Sequence, residues 1–131
     1  MPVRGGASLM RKFGKLTSSA QAQLISRAVL AGAEPIKNRA KELAPYKTGE
    51  LRRSITTSVL ESTPTMARVA IGSDKVYARR IEYGFVGKDS LGRRYNQAAK
   101  PYLRPALDEK RNEAVREMKE AFREMVLAAV K

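Results

Sequence analysis

The spacing of apolar residues predicts a long helix in the first third of the chain. Thr17 or Ser18 is a suitable N-cap, and Ala44-Pro45 ends the helix because the residue before proline avoids helical angles. Pro35 lies inside this segment and removes one backbone donor, so we expect a kink or a break there. Small or apolar residues recur at helical steps of three and four at Ile25, Val29, Gly32, Ile36, Ala40 and Leu43.

The middle of the chain has the alternating pattern of a β-hairpin. A turn at 46–49 precedes Leu51, and a strand pattern then runs from 54 to 60. A second strand pattern covers 66–72, and Thr-Pro-Thr at 63–65 separates the two. Because this connection is longer than a tight two-residue turn, the pattern leaves the register open.

The segment from Val76 to Tyr83 is ambiguous. Its spacing favours a short helix that ends at Gly84, and a strand is the alternative. The polar, basic residues that follow, 85–99, are expected to form a mobile loop. Residues 1–15 read as a flexible basic arm with several glycines.

A second long helix is predicted at the C-terminal end. Pro105 suits the first turn of a helix, and Asp108 and Glu109 complement its dipole. The expected fold is therefore α+β, with a small, mostly antiparallel sheet packed against two long helices, the first kinked near Pro35. Residues 16–131 would form this single domain. The apolar face of the second helix comprises Leu107, Ala114, Val115, Met118, Ala121, Phe122, Met125 and Val126.

Positive charge is concentrated in the first part of the chain. The formal net charge is +13, from 26 basic and 13 acidic residues. Residues 106–131 hold equal numbers of both signs, so the whole excess lies in 1–105. Such a field favours a polyanion or an acidic protein as partner.

Composition removes several classes of chemistry. The chain has no Cys and no His, which excludes disulfides, thiol catalysis, imidazole bases and Cys/His zinc sites. No apolar run approaches the roughly 20 residues of a membrane span, and we expect no signal peptide. No phosphate-binding glycine motif is present. We therefore expect no enzyme, no cofactor and no metal.

The arginine doublets and two acids are the remaining candidates for a site. The doublets would form either a phosphate-binding surface or an ordinary solvated surface, and the sequence favours neither. For Asp74 and Glu82 we favour a buried ion pair or a role at a helix start over a metal or general-acid role. The basic doublets are Arg11-Lys12, Arg52-Arg53, Arg79-Arg80 and Arg93-Arg94.

Three segments in order resemble the tail-completion, or head–tail joining, family of long-tailed bacteriophages and prophages. They are APYKTGELRRSI at 44–55, YARRIEYG at 77–84 and KPYLRPAL at 100–107. The resemblance covers about Leu24 to Ala128, and it departs from the family at Phe85, where Thr is frequent. The fold-defining residues of the three motifs are Pro45, Thr48, Gly49, Leu51, Tyr77, Glu82, Gly84, Pro101, Arg104 and Pro105.

These motif residues also have physical roles. Thr48-Gly49 would form a tight turn, and Pro101 and Pro105 would set the entry angle of the last helix. Tyr77 and Ile81, with Tyr83, would form a compact apolar anchor. Glu82 would pair with an arginine, for instance Arg52, Arg53 or Arg104.

The resemblance implies a structural virion protein of the phage neck, assembled in the bacterial cytoplasm. Subunits would form a hexameric ring that meets connector, adaptor, tail-tube or tail-terminator proteins, and DNA non-specifically, with no membrane involved. Arg11, Lys12, Lys88, Arg93 and Arg94 would make the partner or DNA contacts. The alternatives are a stand-alone basic nucleic-acid-binding protein and a nuclease-like enzyme, and the sparse acids of 1–105 disfavour the enzyme.

Overall fold

The computed structural model describes residues 6–45, 49–88 and 91–130 of the chain. Helices and short strands alternate, which confirms the α+β class. None of the described helices combines the length and apolarity needed to cross a membrane. The elements in chain order are α1 Gly6–Gly14, α2 Ser18–Leu43, α3 Glu50–Ser54, β1 Thr56–Ser62, β2 Ala67–Gly72, α4 Ala78–Tyr83, β3 Phe85–Lys88, β4 Arg94–Gln97 and α5 Leu103–Ala129.

The two long helices form where the apolar period placed them. The hydroxyl of Thr17 accepts the backbone N–H of Ala20 at 3.1 Å, as an N-cap does for the first turn of α2. Helix α2 continues through Pro35 without being split. Pro105 lies in the first turn of α5, where a missing N–H costs no helical hydrogen bond.

The strands form two small sheets, where the sequence pattern suggested one. Strands β1 and β2 are hydrogen-bonded to each other, and a connection of only four residues requires them to be antiparallel. Strands β3 and β4 form the second sheet, antiparallel, with Phe85 opposite Gln97 and Lys88 opposite Arg94. The prediction of a loop over 85–99 was wrong in its secondary structure, because strands of four polar or glycine-bearing residues give no alternating signal. That the segment is mobile stays a prediction.

The start of the chain also differs from the expected arm. Residues 6–14 form helix α1, and Phe13 is buried with only 7% of its surface exposed. Its ring packs against that of Phe122 with centroids 5.2 Å apart. Leu9 and Leu16 pack against the same cluster as Phe13, so a short helical period was present among the glycines and basic residues that suggested an arm. Leu24 and Val126 complete the buried cluster.

The chain divides into two compact units. The first comprises the described residues up to Glu34, Thr57–Ala70 and those from Asn112 onwards. Its helices approach closely at Gly32, where a Cβ would lie 2.7 Å from the carbonyl oxygen of Ala114. The second unit comprises Pro35–Thr56 and Ile71–Arg111. Its buried apolar residues are Ile36, Ala40, Ala44, Leu51, Ile55, Ala78, Tyr102 and Ala106.

Replacing Phe13 tests whether α1 is part of the folded unit. We expect Phe13→Ala to lower the free energy of unfolding by roughly 3 kcal/mol, because it removes a buried aromatic side chain. Met10→Ala is the matched control in the same helix, since Met10 is 56% exposed. Urea denaturation followed by circular dichroism measures both. An equal, small decrease in the free energy of unfolding of both variants would mean that α1 does not pack against the Phe122 cluster.

Candidate functional site

All three motif segments belong to the second compact unit. They supply α3 with the residues before it, α4, and the start of α5. Of the turn expected at 46–49, only Gly49 lies within the described residues, so Thr48 falls outside them. Polar contacts link these elements, buried ones at Glu82 and exposed ones at Glu50.

The carboxylate of Glu82 lies at the N-terminus of α5. The backbone N–H groups of Tyr102 and Leu103 donate to its Oε2 at 2.7 and 3.0 Å. The N–H of Arg104 donates to its Oε1 at 3.1 Å. Glu82 is only 7% exposed, so these bonds form largely out of water. Of the roles expected for Glu82, the helix-start role is therefore the one that the geometry supports.

Glu82 and Pro105 together account for the unpaired amides at the start of α5. The first four N–H positions of a helix have no partner within the helix. Three of them bond to Glu82, and the fourth belongs to Pro105, which has no N–H. The negative carboxylate also faces the positive end of the dipole of a 27-residue helix. Arg104 reaches Glu82 through its backbone, and its side chain is exposed.

Tyr102 is the largest fully buried side chain of this motif. Its side chain is 1% exposed, and it immediately precedes α5. Burial, and secondarily the negative charge of Glu82, raises the pKa of the Tyr102 phenol above its usual value of 10.0. The Tyr102 phenol is therefore buried and held in its uncharged form.

The first motif segment is tied to the second by Glu50. Its carboxylate accepts the Nζ–H of Lys75 at 3.3 Å and the hydroxyl of Tyr77 at 3.4 Å. Gly49 precedes it as N-cap of α3, with a φ of 79° that favours glycine. Leu51 is buried in the same short helix. Helix α3 replaces the strand start expected at 54, since five residues are too few to show a helical period.

Gly84 ends α4 at a point of close backbone approach. Its φ is 80°, and a Cβ there would lie 2.8 Å from the carbonyl oxygen of Gln97. The N–H of Lys100 donates to the carbonyl oxygen of Ile81 at 2.8 Å. The positive φ and the lack of room for a Cβ both require glycine at position 84. The bond from Lys100 to Ile81 joins the segment after β4 to α4. The short helix expected before Gly84 is confirmed.

Exposed apolar side chains lie on both sides of this motif in the sequence, and sequence reasoning missed them. Val76 is 94% exposed, Val86 81% and Leu91 76%. Tyr83 is 74% exposed, so the expected apolar anchor of Tyr77, Ile81 and Tyr83 was wrong for Tyr83. Exposure depends on which neighbours the fold supplies, and the local spacing carries no signal for it.

The five predicted contact residues lie in two places, helix α1 and the β3–β4 hairpin. Arg11 and Lys12 lie on α1 in the first unit. Lys88 and Arg94 face each other across the β3–β4 pair, with Arg93 next to them. All three hairpin cations are exposed. The hairpin thus gathers three of the five cations beside exposed Val86 and Leu91.

The metal reading of Asp74 and Glu82 finds no support in the geometry. Glu82 is occupied by backbone amides, and Asp74 is exposed. In the described parts of the chain, no group of three or more acidic residues could hold a metal ion.

Substitution of Glu82 tests its role at the start of α5. We expect Glu82→Gln to lower the free energy of unfolding by about 1–3 kcal/mol, because a neutral amide offers one acceptor oxygen and no charge. Glu120→Gln is the control, since Glu120 is an exposed carboxylate on α5. Urea denaturation compares the two. A Glu82→Gln variant as stable as Glu120→Gln would contradict the capping role.

Comparison with known proteins assigns a family to this arrangement. Residues 7–84 match a family model described as "Bacteriophage HK97-gp10, putative tail-component". No curated protein and no solved structure matches the chain. The family match covers more than half of the chain and includes the motif segments at 44–55 and 77–84. The chain therefore belongs to the HK97 gp10-like family of bacteriophage tail components, which are structural proteins of the virion.

Proposed function

We propose that this tail component is a tail-completion, or head–tail joining, subunit. It assembles in the host cytoplasm as a homohexameric ring in the phage neck, around the path of the DNA. Its neighbours are connector or adaptor proteins on one side and tail-tube or tail-terminator proteins on the other. The observation that carries this proposal is the family match over residues 7–84, together with the third motif segment at 100–107.

Exposed apolar surface supports an assembling subunit. Val76, Tyr83, Val86 and Leu91 are each at least 74% exposed within a stretch of only 16 residues, 76–91. Monomeric soluble proteins rarely leave large apolar side chains exposed together, and interfaces commonly use them. Contact with neighbouring proteins would remove these apolar side chains from water.

The charge distribution supports a ring around DNA. Six copies with a net charge of +13 each would repel one another strongly. A polyanion along the ring axis would offset that repulsion, and phosphate contacts would release counterions. We propose Arg11, Lys12, Lys88, Arg93 and Arg94 as the residues that contact DNA or the protein partners.

Light scattering over a concentration series tests the ring. We expect one closed species with the mass of six chains, formed more readily at higher salt or with added duplex DNA, because both screen the positive charge. The 14.5 kDa mass of the chain makes a hexamer easy to distinguish from smaller species. A mass that keeps rising with concentration would contradict a closed ring.

Titration with duplex DNA tests the hairpin cations. The double variant Arg93→Gln/Arg94→Gln should lower the slope of log K against log salt by about 2, since each lost phosphate contact contributes roughly 0.9. Arg116→Gln/Lys119→Gln is the matched control, because it removes two exposed charges from α5. Equal effects of the two double variants would assign binding to net charge alone.

A stand-alone nucleic-acid-binding protein is the second candidate, and the excess positive charge is what favours it. Such a protein would bind DNA as a monomer at every concentration. The same scattering and titration experiments therefore separate it from a ring-forming subunit.

A further inference from the structure

Strand β1 is an exposed edge of its sheet. The sheet has two strands, so within the described residues β1 pairs only with β2. Residues 58–62 are all exposed, which means that both faces of β1 are open to water along most of its length. Every residue of β2 except Arg68 is at least partly covered. The open side of this sheet is therefore β1.

Strand β1 has only one of the features that keep an open edge from pairing, the charge of Glu61. Its sequence, TTSVLES, contains no Pro, Gly, Lys or Arg. Natural edge strands usually carry such residues, or a bulge, to prevent pairing with another chain. Thr and Val favour extended structure, and Val59 and Leu60 are 43% and 56% exposed. This strand is thus suited to accept a further strand.

The β3–β4 hairpin has the complementary properties. Each strand is four residues long, and a two-stranded hairpin alone is marginally stable in water. Lys88 and Arg94 are the only charged residues in the two strands, whereas Glu61 is the only charged residue in β1. Val86 exposes 81% of its surface beside these cations. A contact between the hairpin and β1 would bring these cations to Glu61, whose carboxylate also lies 3.5 Å from Arg68 of β2, and would bring apolar side chains together.

We propose that the β3–β4 hairpin of one copy adds to the β1 edge of the next copy. The two hairpins then form one four-stranded sheet across each boundary between subunits. Each contact uses two different surfaces, one from each copy, so it continues from subunit to subunit and forms a ring where the rotation between copies closes. Pairing of β1 with β1 would instead be two-fold and stop at a dimer. This inference rests on the ring proposed above and names its subunit interface.

Cysteine cross-linking tests this contact, because the chain has no cysteine of its own. The variants Leu60→Cys and Val86→Cys, each at an exposed position, are mixed and treated with a short bis-maleimide. We expect cross-linked dimers from the mixture and none from either variant alone. The double variant Leu60→Cys/Val86→Cys should give a ladder of covalent multimers that ends at the ring size. Leu60→Cys mixed with Met10→Cys is the control, since Met10 is also 56% exposed.

Three results would overturn the contact in different ways. Cross-linking of Leu60→Cys with itself would indicate two-fold pairing of β1. A closed oligomer in light scattering without the mixed cross-link would leave the ring in place and remove the hairpin from its interface. A chain that stays monomeric in light scattering, with and without DNA, would overturn the ring and the contact together.

Discussion

The second unit depends on one buried carboxylate at a helix start. Glu82 joins α4 to the first residues of α5, and Pro105 removes the one remaining amide that would need a partner. Hydrogen bonds to a charged group contribute roughly 1.5–3 kcal/mol each, a large share of the stability of a small domain. Gly84 lies two residues after Glu82 and leaves room for the backbone of Gln97 at the base of the hairpin. One short segment thus positions both the last helix and the hairpin.

The start of α5 has its backbone amides paired, whereas the surface carries exposed apolar side chains. Polar groups at the start of α5 are satisfied and Tyr102 is fully buried. The described surface carries two two-stranded sheets, strongly exposed valines and a large positive charge, which are features that contacts with other molecules would stabilise. A structural component of a phage tail works inside an assembly, so a folded interior with unfinished edges suits it.

The sequence predicted the helices whose apolar spacing extends over many residues or whose ends are marked by a capping residue, proline or glycine. Both long helices and the short helix before Gly84 followed from spacing and caps. Helix α1 did not, because its signal is short: Leu9, Phe13 and Leu16 recur at helical steps among glycines and basic residues. The three motifs pointed to Glu82, but its partners are backbone amides, which every residue except proline carries. The exposure of Val86 and Tyr83 depends on tertiary neighbours and was beyond local reasoning.

Recognition of main chain by Glu82 has an evolutionary consequence. The three groups that it binds stay the same whatever side chains stand at Tyr102, Leu103 and Arg104. Among descendants of this protein, an acid at position 82 can persist while positions 103 and 104 drift, since neither side chain takes part. A comparison of covarying positions across relatives would therefore not link position 82 to position 103 or 104, although Glu82 binds the backbone of both residues.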